Sequence, residues 1–478
     1  MRVLSVVSEL HPLIKTGGLA DVAGGLPPAL ARQGIEVHSL LPAYPPVVAR
    51  IGAGEAVHRW PEFYGGPAAL RRLAAEGHQL FLLDAPHLFD RPGRPYSDEA
   101  GHDFPDNWRR FAALSRAGAD IARGLVADFR PDLVHAHDWQ AALTPAFIHY
   151  DNTPVPTVLT IHNLAFQGQF DAAIFPSLGL PEAAFSIHGV EYYGGVGFLK
   201  AGLKLATAIT TVSPTYADEI RTPEGGMGLE GLLSDRVDVL HGIVNGIDTE
   251  AWNPATDPYL AARFSVDDLA PRAVNRRAVE ERFGLVPDAG PIFTVLSRLT
   301  WQKGMDVLVA TVDHLVSLGG RLAVLGSGDP LFEHELRLAA AAHPGRVGTI
   351  IGYDEEIAHL LQGGADAILI PSRFEPCGLT QLYGLRYGTV PVVARTGGLA
   401  DTVIDANVAA MTAGVATGLM FAPVDVSHLR KVIRRAVNLY HQPGCWTSIR
   451  RQGMKADVSW DRSAAEYAAL FRELVSAR

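Results

Sequence analysis

Lys15 precedes Thr16-Gly17-Gly18-Leu19-Ala20-Asp21, and Arg298 and Lys303 lie within Ser297-Arg298-Leu299-Thr300-Trp301-Gln302-Lys303-Gly304. A lysine beside a glycine pair at a helix start offers one point charge and bare backbone N–H groups to a phosphate or oxyanion. An arginine and a lysine on one loop can neutralise a diphosphate, the first as a bidentate fork and the second as a point charge. Solvated surface cations are the alternative, but a loop that follows a strand and closes on glycine favours the ligand role. Pro371-Ser372-Arg373-Phe374-Glu375-Pro376-Cys377-Gly378-Leu379-Thr380 puts a glutamate on another such loop. There Gly378-Leu379-Thr380 can open a helix whose N–H groups face a phosphate. Cys377 reads as a packed thiol, since no histidine partner is identifiable.

His135-Ala136-His137-Asp138-Trp139 ends an apolar run. Two histidines at i, i+2 point to one side of a strand and with Asp138 resemble a metal cluster. No third ligand is signposted, so a polar sugar pocket fits better. Tyr353 could stack on a base or be an ordinary strand-end tyrosine. Gly326-Ser327-Gly328-Asp329 resembles the start of a dinucleotide fingerprint, but Leu331 stands where the third glycine belongs, so a tight turn after a strand is the better reading.

The elements that must hold these residues are strands alternating with helices. Strand-like runs occur at Arg2–Val7, Val37–Leu41, Gln79–Leu83, Asp132–His137 and Thr157–Ile161, with helices expected from Leu19 to Gln33 and from Asp106 to Leu125. This is the pattern of βαβ units and a parallel sheet, whose ligands sit at the carboxyl ends of the strands. Lys15, His137-Asp138 and His162-Asn163 all fall there. A turn at Val244–Asp248 and a loop at Trp252–Pro258 mark a domain boundary. A second alternating series follows, with strands at Phe293–Ser297, Leu322–Leu325, Thr349–Ile351, Ala367–Ile370 and Val390–Ala394. The expected architecture is α/β: a doubly wound domain over 1–245, a second over 246–456, a cleft between them, and a helix over 457–478. That helix has Ala465, Tyr467, Ala468, Leu470, Phe471 and Leu474 as its apolar positions. Arg395-Thr396-Gly397-Gly398-Leu399-Ala400-Asp401 is a near-copy of the Lys15 loop and hints at two related loops facing one site from two domains.

Composition narrows the classes. The 478 residues are 48% hydrophobic and 19% charged, a packed protein too long for one core. A net charge of −10, from 41 basic and 51 acidic residues, argues against nucleic-acid and anionic-membrane partners. Two cysteines without Cys-x-x-Cys spacing, no signal segment and no apolar run of membrane length lead to the expectation of a cytoplasmic, metal-independent protein.

Taken together, the Lys15-Thr16-Gly17-Gly18, His135–Trp139, Thr160-Ile161-His162-Asn163, Ser297–Gly304, Arg373–Leu379 and Arg395–Leu399 motifs closely resemble bacterial glycogen synthases and plant starch synthases. The resemblance runs from the first strand to Val458-Ser459-Trp460. It implies the two-Rossmann-domain fold called GT-B, with the last helix returning to the N-terminal domain. It also implies an ADP-glucose:α-1,4-glucan 4-α-glucosyltransferase. Such an enzyme moves glucose, with retention, to the non-reducing-end 4-hydroxyl of glycogen, with no cofactor and no metal.

By resemblance, Lys15, Gly17, Gly18 and Asp21 bind the donor, and Arg298 and Lys303 neutralise the ADP leaving group. Glu375 holds hydroxyls of the donor glucose. Cys377 and Gly378 line that pocket, and the N–H groups at Leu379 and Thr380 bind phosphate. His162 sits against the reacting sugar with Asp138 and Asn245 beside it, and Tyr353 near adenine. Lys15, Asp138, His162, Arg298, Lys303 and Glu375 form the catalytic set. The chain departs from many proteins of that fold at Tyr383, where they carry a second, ribose-binding glutamate; bacterial glycogen synthases share the departure. A UDP-glucose transferase with a small acceptor and a non-catalytic glucan-binding protein are the rival classes.

Overall fold

The computed structural model describes residues 1–477, and its chain divides into two units. The first comprises Met1–Gly246 together with the segment that begins at Trp460; the second is Ile247–Ser459.

The first unit is built on a nine-stranded sheet. Its strands are β1 (Arg2–Val6), β2 (Glu36–Pro42), β3 (Glu55–Trp60), β4 (Ala68–Ala75), β5 (His78–Asp84), β6 (Leu133–His137) and β7 (Thr157–Ile161). After the short β8 (Gln169–Phe170), β9 (Glu191–Tyr192) and β10 (Gly195–Gly197), which form a separate three-stranded sheet, come β11 (Ala208–Thr211) and β12 (Leu240–Gly242). The order is β12-β11-β7-β6-β1-β2-β5-β4-β3, parallel from β12 to β5. The parallel strands are apolar on both faces because helices cover both. The expected all-parallel pattern fails at one edge, where β4 runs antiparallel to β5 and β3 to β4. The β4–β5 link is the two-residue turn Glu76-Gly77, with φ of 50° and 76°, the left-handed pair that matches strand twist in a tight hairpin.

The second unit has six parallel strands: β13 (Ile292–Leu296), β14 (Arg321–Gly326), β15 (Val347–Ile351), β16 (Ala367–Ile370), β17 (Val390–Ala394) and β18 (Leu419–Phe421). Their order is β15-β14-β13-β16-β17-β18. Phe293, Val295, Leu322, Val324, Leu369 and Val392 meet Leu429, Val432 and Ile433 of the helix Val426–Tyr440 in its main core.

The helix Trp460–Ser476 completes the first unit, in line with the resemblance. Trp460, Ala464, Tyr467, Ala468 and Phe471 join Val3, Leu26, Leu30, Leu133 and Val158 in one cluster. Burying a side chain of the Leu or Phe class is worth about 1.5–3 kcal/mol, so this helix is a substantial part of the core. Gly25 makes room for it, since a Cβ there would meet the Trp460 indole at 2.1 Å. One expected apolar position is wrong: Ala465 is exposed and Ala464 is the buried alanine, because the buried stripe runs through Trp460, Ala464, Tyr467 and Phe471 at three- and four-residue steps.

Candidate active site

In each of the two large sheets the first strand has its successor on one side and a later strand on the other. The chain direction switches between β1 and β6 in the first unit, and between β13 and β16 in the second. Ligands of doubly wound sheets bind outside the strand ends at such switch points. The segments after β1, β6, β13 and β16 carry Lys15, Asp138, Arg298 with Lys303, and Glu375.

In the first unit the segment after β1 is held by Glu9, which sequence reasoning missed. Its buried carboxylate accepts from the Thr16 N–H, from the Thr16 hydroxyl at 2.5 Å, from the Gly17 N–H at 3.2 Å and from the Tyr96 hydroxyl. Burial and the Glu9 charge push the Tyr96 phenol well above its ordinary value, so it stays a donor. A glutamate in an apolar strand end is the one local signal that could have exposed this role. Lys15 Nζ sits 2.7 Å from Asp21 Oδ1, which links two predicted donor-binding residues. Gly17 precedes the helix Gly18–Arg32, and a Cβ on Gly17 or Gly18 would meet nothing within 4 Å. Gly17→Ala and Gly18→Ala are therefore expected to leave stability within about 1 kcal/mol of wild type, as read from thermal melts. Any larger loss, in kcat/KM for the sugar donor, then reports the approach of a ligand to this backbone.

His137 closes β6, and Asp138 follows with left-handed backbone, φ 53°, which Asp tolerates better than most residues. That turn aims the Asp138 carboxylate at the segment after β7, where it accepts from the His162 N–H at 2.7 Å and from the Asn163 N–H. Burial outweighs both bonds and pushes its pKa up to about 7. The folded state thus keeps a proton that the unfolded side chain releases near 3.8, so stability falls as pH rises from about 4 through 7. Asp138→Asn should lack this slope. Thermal melts of the two proteins across that window should diverge, and parallel curves would refute the raised value.

His135 Nε2 lies 2.6 Å from Thr160 Oγ1, and His137 reaches Ser5 and His162. Among the described residues no group of three or more His, Cys, Asp or Glu side chains is arranged to hold a metal ion. Asn245 is buried, and its side-chain carbonyl has no hydrogen-bond partner in the protein.

In the second unit three loops lock together at the strand ends. Lys303 Nζ sits 2.5 Å from Glu375 Oε2, which also accepts from Ser372 Oγ at 2.9 Å. Gln302 donates to Phe374 O, and Arg373 donates through its backbone to Gln302 O and through its guanidinium to Asp306. Gly304, at φ 69°, allows this approach, since a Cβ would stand 2.0 Å from Pro371 O. Arg298, by contrast, is exposed, with one 3.5 Å contact to Gln302. Gly326 and Gly328 pack against Ser297 and Leu299 backbone as the turn after β14.

Buried Cys377 and half-buried Gly378 precede the helix Thr380–Tyr387, with Leu379 at its cap. The first-turn N–H groups of such a helix have no acceptor within it. Gln381, also missed from sequence, donates to Cys377 O and Gly378 O at 3.0 Å each and fastens this turn. The Gly397–Gly398 copy has an environment opposite to that of Gly17–Gly18. It is buried, and the Gly398 N–H donates to Glu375 O and Pro376 O. Tyr353 is 73% exposed on the loop after β15. Tyr383 stacks on Trp252 at 3.7 Å between centroids, with His359 at 3.7 Å on the other face. An aromatic column thus occupies the position of Tyr383.

Comparisons with known proteins agree with this layout. The starch synthase catalytic domain model matches residues 2–235, and the glycosyl transferases group 1 model matches 277–447. Over 479 residues the chain is 60% identical to the glycogen synthase of Mesorhizobium japonicum, with all of both chains covered. It is 59% identical to that of Rhizobium johnstonii, covering 100% of this chain and 99% of the other. The catalytic domain of starch synthase IV from Arabidopsis thaliana, solved bound to ADP and acarbose, superposes with a TM-score of 0.88 at 31% identity over 99% of each chain. Sucrose-phosphate synthase from Thermosynechococcus elongatus, at 17% identity and a TM-score of 0.62 over 100% of each chain, shares the fold. Two doubly wound units, six motifs in order and full-length identity of this degree lead to one conclusion: the chain belongs to the glycogen synthase family of GT-B glycosyltransferases.

Proposed function

We propose that the donor is ADP-glucose, the acceptor is the non-reducing end of an α-1,4-glucan such as glycogen, and the protein works in the cytoplasm without a metal or other cofactor. The observation that carries the reading is the Ser372–Glu375–Lys303 cluster beside the exposed Arg298 at a switch point. It stands in a chain with full-length identity to glycogen synthases. The ADP in the starch synthase IV structure supports adenine as the base. The domain over 1–245 would serve the glucan and that over 246–456 the nucleotide sugar, with 457–478 returning to the first.

Arg298 and Lys303 neutralise the charge that gathers on the diphosphate as the bond from sugar C1 to phosphate oxygen breaks, helped by the N–H groups at Leu379 and Thr380. Lys15, with Gly17, Gly18 and Asp21, binds the donor near its diphosphate and glucose. Glu375 holds glucose hydroxyls in the pocket of Cys377 and Gly378, and Tyr353 flanks adenine. Asp138, His162 and Asn245 surround the reacting sugar, where the unpartnered Asn245 carbonyl accepts from a sugar hydroxyl. The acceptor O4 attacks C1 from the face the leaving group departs, and its proton passes to the departing phosphate oxygen, so configuration is retained.

The test is glucose incorporation into glycogen from ADP-glucose and from UDP-glucose, each with and without EDTA. Transfer from ADP-glucose that EDTA leaves intact is expected. Transfer from UDP-glucose alone would replace the donor, and no transfer from either would leave a glucan-binding protein. A trapped glucosyl ester on Asp138 or Glu375 would overturn the front-face route.

A further inference from the structure

We propose that Ser5 and His137 set the tautomer of His162, so that this ring presents its Nδ1–H, as a hydrogen-bond donor, away from the sheet. Ser5 lies on β1 and His137 on β6, adjacent parallel strands with Ser5 in register with His135. Ser5 Oγ is 3.2 Å from His137 Nε2, and His137 Nδ1 is 3.0 Å from His162 Nε2. The His137 and His162 rings are nearly parallel, 20° apart, with centroids 5.3 Å from each other. Both nitrogens of His137 are thus committed, and His162 keeps only Nδ1 for anything outside the protein.

The direction of the chain follows from counting protons. Burial pushes all three neighbouring imidazoles down, His162 and His135 to about 3, and His135 and His162 further disfavour a charge on His137. Each ring is neutral and carries one N–H. If His137 held its proton on Nε2 it would donate to Ser5, and the buried Ser5 hydroxyl proton would have no acceptor. If the proton is on Nδ1, Ser5 donates to His137 and His137 donates to His162. Every group on the path is then satisfied. His162 Nε2 is then an acceptor, which puts its single proton on Nδ1. His162 acts as a neutral donor and not as a base toward the acceptor hydroxyl. Ser5 and His137 are positioning residues that act through it. The consequence for turnover rests on His162 meeting the reacting sugar, as proposed above; the tautomer itself does not.

The test reads the tautomer directly. Long-range proton–nitrogen correlation spectra of the full chain with labelled histidine would be recorded without substrate, and the His162 signals identified by their loss in His162→Gln. The expected pattern is a protonated Nδ1 and a bare Nε2 in wild type, moving toward a mixture in Ser5→Ala. His137→Asn keeps an N–H donor near the Nδ1 position and should preserve both the pattern and most of kcat. His137→Phe fills the space without a donor and should lower kcat tenfold or more with KM for ADP-glucose little changed. A proton on Nε2 of His162 in wild type overturns the inference; with the expected wild-type pattern in hand, His137→Phe matching His137→Asn in kcat overturns instead the placing of His162 against the reacting sugar. If wild type fails to use ADP-glucose, the functional reading falls while the spectra still decide the tautomer.

Discussion

Lys303→Ala is expected to lower kcat by about 10²–10³, the loss typical when one preorganised contact to developing charge is removed. Its Nζ is held by Glu375, itself tied to Ser372, with only 16% of the lysine side chain exposed. The charge therefore waits in place and need not reorganise as negative charge moves onto the diphosphate. Removing it also leaves Glu375 without its cation, so Arg298→Ala is the needed companion. Arg298 is exposed and has only the 3.5 Å contact to Gln302, so its removal should leave the melting temperature unchanged while kcat falls on a similar scale. Steady-state kinetics with ADP-glucose and glycogen, alongside thermal melts, separate the two effects. Near-normal turnover in both variants breaks the assignment of the leaving-group site.

Gly397→Ala and Gly398→Ala should each lower kcat by about 10², although neither residue is given a ligand. A Cβ on Gly397 would stand 2.0 Å from Glu375 O, and one on Gly398 would stand 2.2 Å from Cys377 O. Both obstacles are backbone, so the loop that carries Glu375, Cys377 and Gly378 must move. Gly397 also has φ 42°, which an alanine adopts at a cost. Overpacking of this kind costs about 1–3 kcal/mol of stability as well. Gly17→Ala and Gly18→Ala have open space around the new methyl group and provide the contrast. If all four variants melt alike, the close approach of the Gly397–Gly398 turn to the Glu375 loop is wrong.

These two glycine pairs show what could be read without a structure. The repeated Thr-Gly-Gly-Leu-Ala-Asp string correctly marks a glycine-led helix start in both units, because that turn is a local matter of backbone freedom and helix entry. Its surroundings are not local. One pair lies open above Glu9, and the other is sealed beneath Glu375. Most of the parallel strands were legible for the same reason, as short apolar runs flanked by turns, but the short β11, β12 and β18 were not. The edge hairpin β3–β4 was not, since Arg71 and Arg72 on β4 and His58 and Arg59 on β3 blur the alternation that a half-exposed strand should show. Glu9, Gln381 and the Ser5–His137 link escaped because each acts on a segment that its own neighbours in sequence do not reveal. Glu375 and Lys303 were named from their loops, yet the ion pair between them joins residues 72 positions apart and needed the β13–β16 adjacency to be seen.

The helix Trp460–Ser476 also orders events in time. A ribosome completes the whole of Ile247–Ser459 before it makes the helix whose Trp460, Tyr467 and Phe471 close the cluster around Val3, Leu30 and Leu133. While the second unit is being made, the first therefore waits with an uncovered apolar face, although the nine strands of its main sheet have already been synthesised. Tyr467 and Phe471 lie 5.5 and 5.4 Å from the His135 ring, whose neighbour is His137. The helix made after the second unit thus finishes the support beneath the histidines, so the nascent chain completes that support only once Ile247–Ser459 has been synthesised.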